Sequence, residues 1–276
     1  MEFAVTGSEG YVGQPLCKAI EYAGYQVVRF DAKLGHDIRD ASMVTRMTKD
    51  CDAIVHMAAI VGYPQCDKDP QLAKAVNVQG TLNVVATGKK VIFTGALSNY
   101  DGVLLVDETT PVVPKTLYAE TKAEAEQIVL GARKNVAVRF GSLYGVSPNM
   151  RMDLLVHDMV KTALSERKLS IYQSEYIRAL TRIEDAIHAI IFFLTSNNNS
   201  IGGLYNVVSL HRTKREIAEA VATEVPCQVD YVTGEDRENR NYRISTDKIQ
   251  DLGFCFYPNF RESVYRIAEF LRSKEG

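Results

Sequence analysis

The stretch Glu2-Phe3-Ala4-Val5-Thr6-Gly7-Ser8-Glu9-Gly10-Tyr11-Val12-Gly13 decides the fold. Its opening residues read as a buried strand, mostly apolar and ending on a β-branched side chain. Glycines follow at G-x-x-G-x-x-G spacing, and helical spacing takes over from about 12 to 23. A strand that runs through glycines into a helix gathers backbone N–H groups and the positive helix end at one point. A pyrophosphate binds well there. Taken alone, the loop is also compatible with a glycine-rich turn that holds nothing.

The same alternation continues outward. Short apolar runs at 2–6, 26–30, 53–57, 90–95 and 136–140 predict strands, and helical spacing fills 12–23, 41–48, 70–87 and 116–133. Strand–helix alternation predicts an α/β fold with a doubly wound parallel sheet. Beyond Gly145 the pattern loosens. Helices are expected at 151–165, with Met150-Arg151-Met152-Asp153 at its opening, and at 183–195. A strand is expected at 204–208. Thr213 and Glu216 form a capping box for a helix to about 224. Residues 227–243 read as short strands or loops, and helices return near 245–251 and 260–273.

Composition narrows the function classes. The 276 residues are 46% hydrophobic and 24% charged, with 32 Lys+Arg against 34 Asp+Glu and a net charge of −2. A general nucleic-acid binder needs an excess of basic residues, so that class is excluded. No apolar run reaches the roughly 18 residues of a membrane span, and the N-terminus has no basic region before an apolar one. Cys17, Cys51, Cys66, Cys227 and Cys255 are scattered and odd in number. That spacing predicts neither a disulfide framework nor a metal site, and suits a reducing, cytoplasmic compartment.

Two further features carry chemistry. The second strand ends at Asp31, where a carboxylate can accept both adenosine ribose hydroxyls and repel a 2′-phosphate; this favours NAD over NADP. Arg29 leaves that strand on the other face. Tyr118 and Lys122 lie one helical turn apart, so phenol and ammonium project together, and a nearby positive charge favours the phenolate needed for acid–base work at a carbinol. With 14 tyrosines, about one Y-x-x-x-K pair arises by chance. The weight of this one comes from its place after the strand at 90–95.

Together these residues resemble the extended short-chain dehydrogenase/reductase family, the NAD-dependent nucleotide-sugar epimerases and dehydratases. Thr6 to Gly13 matches the family's T-G-x-x-G-Y-x-G, which implies cofactor contacts from Gly7, Glu9, Gly10, Tyr11, Val12 and Gly13. Asp37 and Ile38 resemble its adenine-contacting pair. His56-Met57-Ala58-Ala59 resembles H-x-A-A, placing Met57, Ala58 and Ala59 beside the cofactor, with His56 as packing behind it. Asn77-Val78-Gln79-Gly80-Thr81 matches N-V-x-G-T, which adds Asn77. Tyr118 and Lys122 match the catalytic pair. Arg139 to Gly145 resembles R-x-x-N-x-Y-G, with Ser142 at the substrate-binding asparagine. Arg178 to Asp185 resembles the stretch ending V-x-D, and Tyr205-Asn206-Val207 matches Y-N-V.

The resemblance implies a Rossmann-type NAD domain at 1–145 and 183–208. A small α/β substrate lobe at 146–182 and 209–276 completes it, as a homodimer through the helices at 70–87 and 116–133. Arg178 and Arg237 are then expected at the substrate's diphosphate, although Glu235, Asp236 and Glu238 also let the Arg237, Arg240, Arg243 cluster read as solvated charge. The departures bear on mechanism. The family's catalytic Ser/Thr aligns with Ala96, which would still line the substrate pocket, and Thr94 and Ser98 flank it as candidate replacements. The Asp-Glu pair of the dehydratases aligns with Leu97 and Ser98, and the decarboxylases' glutamate with Ser98. Oxidation and reduction at one carbon remains, as a C4 epimerase or a keto-sugar or other carbonyl reductase. A non-catalytic NAD-binding sensor is the alternative that Ala96 allows.

Overall fold

A computed structural model describes residues 1–97, 100, 105–196, 201–234 and 240–275. In chain order the elements begin with β1 (Glu2–Thr6), α1 (Gly13–Tyr22), β2 (Gln26–Phe30), α2 (Ala41–Met47) and β3 (Ala53–His56). Then come α3 (Tyr63–Lys68), α4 (Pro70–Lys74), α5 (Gly80–Ala86), β4 (Lys90–Ala96), β5 (Leu105–Val106), α6 (Leu117–Leu130) and β6 (Val136–Phe140). They continue with β7 (Ser142–Tyr144), α7 (Leu155–Glu166), β8 (Lys168–Tyr172), β9 (Ile177–Arg182), α8 (Ile183–Thr195) and β10 (Gly203–Val207). The chain closes with β11 (Leu210–Thr213), α9 (Lys214–Glu224), β12 (Gln228–Val232), β13 (Arg243–Ile244), α10 (Asp247–Gln250) and α11 (Phe260–Glu275).

The main sheet has the order β10-β6-β4-β3-β1-β2. Strand order reverses beside β1, between β2 and β3, and both pair with it in parallel, Val5 facing Arg29 on one side and Val55 on the other. In a doubly wound sheet the carboxyl ends at such a reversal form the ligand crevice. The expected α/β class with a parallel sheet is what the chain adopts. One face of this sheet buries Ala4, Ile54, Val91, Phe93 and Ala137 against Val44, Val84, Ala125 and Val129. Each of the larger side chains contributes ~1.5–3 kcal/mol on burial.

The chain divides into two compact units: Met1–Tyr100, Pro111–Arg139 and Ile187–Tyr205 in the first, Asp101–Thr110, Phe140–Ala186 and Asn206–Gly276 in the second. The second has its own core, with Tyr144, Val160, Leu180, Ile217, Val221 and Ile267 buried together. Its sheets are small: β11-β9-β7, the parallel pair β12-β8, and the parallel pair β13-β5. Segments 105–110, 140–145 and 183–186 belong to the second unit. No helix among the described residues is long and apolar enough to cross a membrane.

Two expected helices differ. The one expected over 70–87 is three pieces, α4, a π-helical turn at Ala75–Gln79, and α5. The wider turn carries Asn77, which hydrogen-bonds away from the helix; π turns commonly mark such positions. The helix expected from 151 starts at Leu155. Arg151 is held outside it by a salt bridge to Asp153, and its carbonyl lies 2.8 Å from Nδ1 of His157. The capping box of Thr213 and Glu216 forms as expected.

Candidate active site

The site grows from the carboxyl end of β1. Gly7 has φ +76°, and a Cβ there would lie 2.9 Å from the backbone nitrogen of Ala58. Only glycine allows this turn to approach the segment after β3 so closely. Val12, at the N-cap of α1, brings no side-chain hydrogen bond to the helix start. The first-turn amides of α1 are therefore left to backbone acceptors or a ligand. Asp31 takes the Glu9 N–H on one carboxylate oxygen and the Lys33 N–H on the other, both at 2.9 Å. Its carboxylate is thus fixed at the tip of β2, beside the glycine loop. Arg29 is drawn into ion pairs with Glu9 at 3.5 Å and Glu21 at 2.9 Å.

Behind this loop runs a buried chain of hydroxyls. The Thr81 hydroxyl donates to the carbonyl of Asn77 at 2.6 Å. Its oxygen must then accept from Nε2–H of His56 at 2.9 Å. That leaves Nδ1 of His56 to accept from the Thr6 hydroxyl at 2.7 Å, because a neutral imidazole has one donor and one acceptor. The Thr6 oxygen accepts the N–H groups of Met57 and Ala58, each at 3.2 Å. Burial, reinforced by the charge on Lys122, pushes His56 down to about 3, so the ring is neutral. His56 is packing behind the site, as expected. The hydroxyl chain joins β1, β3 and α5, and fixes Met57 and Ala58 at the end of β3.

Asn77 spends its amide on the same framework. Its Oδ1 accepts the Ile60 N–H at 2.7 Å, and its Nδ2 donates to the Ile60 carbonyl and to Oγ1 of Thr121. Thr121 in turn donates to the carbonyl of Tyr118 at 3.0 Å. Asn77 thus bears on the tyrosine through one hydroxyl. Ile38 is buried beneath Gly80, where a Cβ would lie 2.8 Å from its Cγ2. Asp37 is engaged by Arg39 and held below the usual carboxylate range by that hydrogen bonding.

Tyr118 and Lys122 open α6, which Thr116 caps through a 3.2 Å bond from the Ala119 N–H. Tyr118 is half-buried. Lys122 is buried, with Nζ 4.0 Å from the centroid of the Phe93 ring. It forms no ion pair among the described residues. Burial pushes the Lys122 ammonium down to about 7, opposed by the Glu126 and Cys66 charges. One turn further, Glu126 takes Nε and Nη2 of Arg139 at 2.7 and 2.5 Å, and Nη1 of Arg139 reaches the Tyr100 hydroxyl. The sequence reading gave Glu126 and Tyr100 no role, although Tyr118, Lys122 and Glu126 share one helix face at i, i+4 and i+8.

Alternation sorts the residues of β4. Phe93 and Gly95 face α6: Phe93 lies under Lys122, and a Cβ at Gly95 would lie 3.2 Å from Glu126. Thr94 therefore leaves β4 on the opposite face. Ala96 ends the strand, partly exposed. Ser98 lies outside the described residues, as does Arg237. In the second unit Ser142 and Arg178 meet: the guanidinium lies 3.5 Å from the Ser142 hydroxyl, and Arg178 is 5% exposed. Arg212 is paired directly across from Arg178 on β11. No group of three or more His, Cys, Asp or Glu among the described residues could hold a metal ion.

The sequence model of the NAD dependent epimerase/dehydratase family matches residues 3–207. The chain belongs to that family. It is an NAD-dependent enzyme of the extended short-chain dehydrogenase/reductase type. Among its relatives is the UDP-glucose 4-epimerase of Lacticaseibacillus casei, 26% identical over 98% of this chain and 95% of that one. The spore coat polysaccharide biosynthesis protein SpsK of Bacillus subtilis is 26% identical over 68% of this chain and 67% of its own. The UDP-glucose 4-epimerase of Thermus thermophilus, solved with NAD, shares the fold with a TM-score of 0.83, at 22% identity and 99% coverage of both chains. The residues present fit the family's cofactor on three counts: the glycine loop at a helix start with no side-chain cap, the fixed Asp31 carboxylate, and the buried Lys122 ammonium, which has no ion partner among the described residues.

Proposed function

We propose that this family member oxidises and then re-reduces one carbinol carbon of a nucleotide-sugar, as a C4 epimerase. The observation that carries the reading is the Tyr118–Lys122 pair, its ammonium buried against Phe93, on a chain with no carboxylate at Leu97 or Ser98 for eliminating water. The Gly7, Gly10 and Gly13 loop, with Glu9, Tyr11 and Val12, would hold the pyrophosphate of NAD. Asp31 would take the adenosine ribose, and Asp37 and Ile38 the adenine. Met57, Ala58, Ala59 and Asn77 would back the nicotinamide half. Lys122 would hold the nicotinamide ribose and favour the phenolate of Tyr118. Bound NAD would supply the redox chemistry, as acceptor of the carbinol hydride and then its donor to the other face of the keto carbon.

Tyr118 takes the hydroxyl proton as the carbinol is oxidised and returns it on reduction. Arg178 and Ser142, which meet in the second unit, suit the substrate's diphosphate, since guanidinium binds phosphate oxygens in a fork. Arg237 belongs to the same proposal, and Ala96 lines the sugar. A substrate lobe at 146–182 and 209–276, and a homodimer through α4–α6, where Leu82 is exposed, complete it. Five free thiols suit the cytoplasm.

The test is a panel of UDP-, dTDP-, GDP- and CDP-sugars, following NADH absorbance and product identity. Epimerised sugar without net NADH change is expected, and Tyr118→Phe should lower turnover by about 10²–10⁴-fold. Stoichiometric NADH consumption would point to a keto-sugar reductase instead. No product from any sugar would sink the nucleotide-sugar reading. Thr94→Ala and Ser98→Ala test the two hydroxyls that flank Ala96: the one that replaces the family's Ser/Thr should slow turnover when removed, and unchanged turnover takes that residue out of the mechanism.

A further inference from the structure

Glu126 and Arg139 form a buried ion pair, their side chains 1% and 3% exposed. Water and salt cannot screen such a pair, and removing one partner leaves an uncompensated charge. The pair ties four segments together. Glu126 is on α6, Arg139 on β6, and Tyr100, bonded to Arg139, follows β4 in the chain. Gly95 is the fourth: a Cβ there would come within 3.2 Å of Glu126 and 3.3 Å of Arg139. A larger residue at 95 would push α6 off the strand, so its glycine lets the pair seat.

The seat lies one helical turn beyond Lys122 and two turns beyond Tyr118, on their face of α6. Phe93, which carries the Lys122 ammonium, is two residues before Gly95 on the same face of β4. The ion pair therefore sets the register of α6 on β4 where the reactive groups project. We propose that Glu126 is a positioning residue for Tyr118 and Lys122: clamped by Arg139, it locks their helix onto the end of β4 and places a fixed negative charge one turn beyond the lysine. This rests on the functional reading for its consequence in catalysis, but not for its test.

The ionisable groups packed around Lys122 are few. Tyr118 and Glu126 lie on its own helix, His56 is neutral on β3, and Cys66 is buried on α3. Tyr63 on α3 is half-buried, whereas Asp67, Lys68 and Lys74 on α3 and α4 are exposed. β4 offers only the Phe93 ring, and Arg139 stands on β6. Glu126 is the buried carboxylate among these described groups.

The experiment reads Lys122 through folding stability, without any ligand. Thermal unfolding of the full chain and of Lys122→Met is followed against pH, each in the native and the Glu126→Gln background. A lysine whose folded value is depressed costs stability in full below that value. The cost fades as pH rises toward the unfolded value near 10.4. The advantage of Lys122→Met should thus be flat below about pH 7 and decline above it. In the Glu126→Gln background the break should move toward acid by about one unit, with NAD affinity and turnover falling at neutral pH. Val129→Ala, in the core on the same helix, should lower the melting temperature without moving the break. Should Glu126→Gln fail to fold, Glu126→Gln/Arg139→Gln removes both charges, and the break should still move to acid. An unmoved break in the folded variant, with a loss of stability like that of Val129→Ala, overturns the proposal. A moved break with no product from any sugar would sustain Glu126's role and sink the epimerase reading alone.

Discussion

A methyl group on Gly13 would lie 2.1 Å from the Gly7 carbonyl oxygen and 2.8 Å from the Ser8 backbone. Both are backbone atoms and cannot rotate away. Gly13→Ala should therefore deform the loop, costing ~1–3 kcal/mol of stability as overpacking does, and weaken NAD binding by tenfold or more. Chemical denaturation and calorimetry check the two. Gly24→Ala is the contrast. Nothing lies within 4 Å of its Cβ position, so it suffers only the strain of φ +85°. Glycine spacing is visible in sequence because the requirement is local. The pairing of Lys122 with the Phe93 ring is not, since it joins positions on a helix and a strand.

At the scale of elements, the hydroxyl chain is what joins β1 and β3 at their carboxyl ends to the start of α5. Thr81→Val removes the acceptor of His56 and the donor to Asn77 together. Stranding buried polar groups should cost ~1–3 kcal/mol, read from urea denaturation. Thr223→Val, whose hydroxyl bonds an exposed helix carbonyl, should change stability by less than ~0.5 kcal/mol. The five strands of the alternating half were legible because buried parallel strands are continuous apolar runs. β7, β8, β9 and β11 were not: β7 and β11 are brief, β8 alternates buried and exposed positions, and β9 carries Arg178, Thr181 and Arg182 among its apolar residues; β12 fell within the short strands or loops expected at 227–243. The break in the helix over 70–87 escaped for a different reason. A π turn keeps helical composition, and only the bonds made by Asn77 disclose it.

For the whole molecule, NAD should bind the folded chain and not the unfolded one. At about 100 times its dissociation constant it should add ~2.7 kcal/mol of stability, measured as a rise in melting temperature. NADP should add much less, because its 2′-phosphate would meet the Asp31 carboxylate, already fixed by two backbone N–H groups. An equal rise with both cofactors would remove Asp31 from the discrimination.

By itself the sequence determined the sheet, the glycine loop after β1, the acidic tip of β2 and the i, i+4 pair on α6. Each is set by periodicity or spacing within one short segment. Only the tertiary structure decided which face Thr94 takes, that Asn77 works through Thr121, that Ser142 and Arg178 meet, and that Glu126 is clamped by Arg139 beside Gly95. These depend on side chains far apart in the chain being desolvated together. A buried charge or hydroxyl must find its partner in space, and no local pattern records which partner it finds.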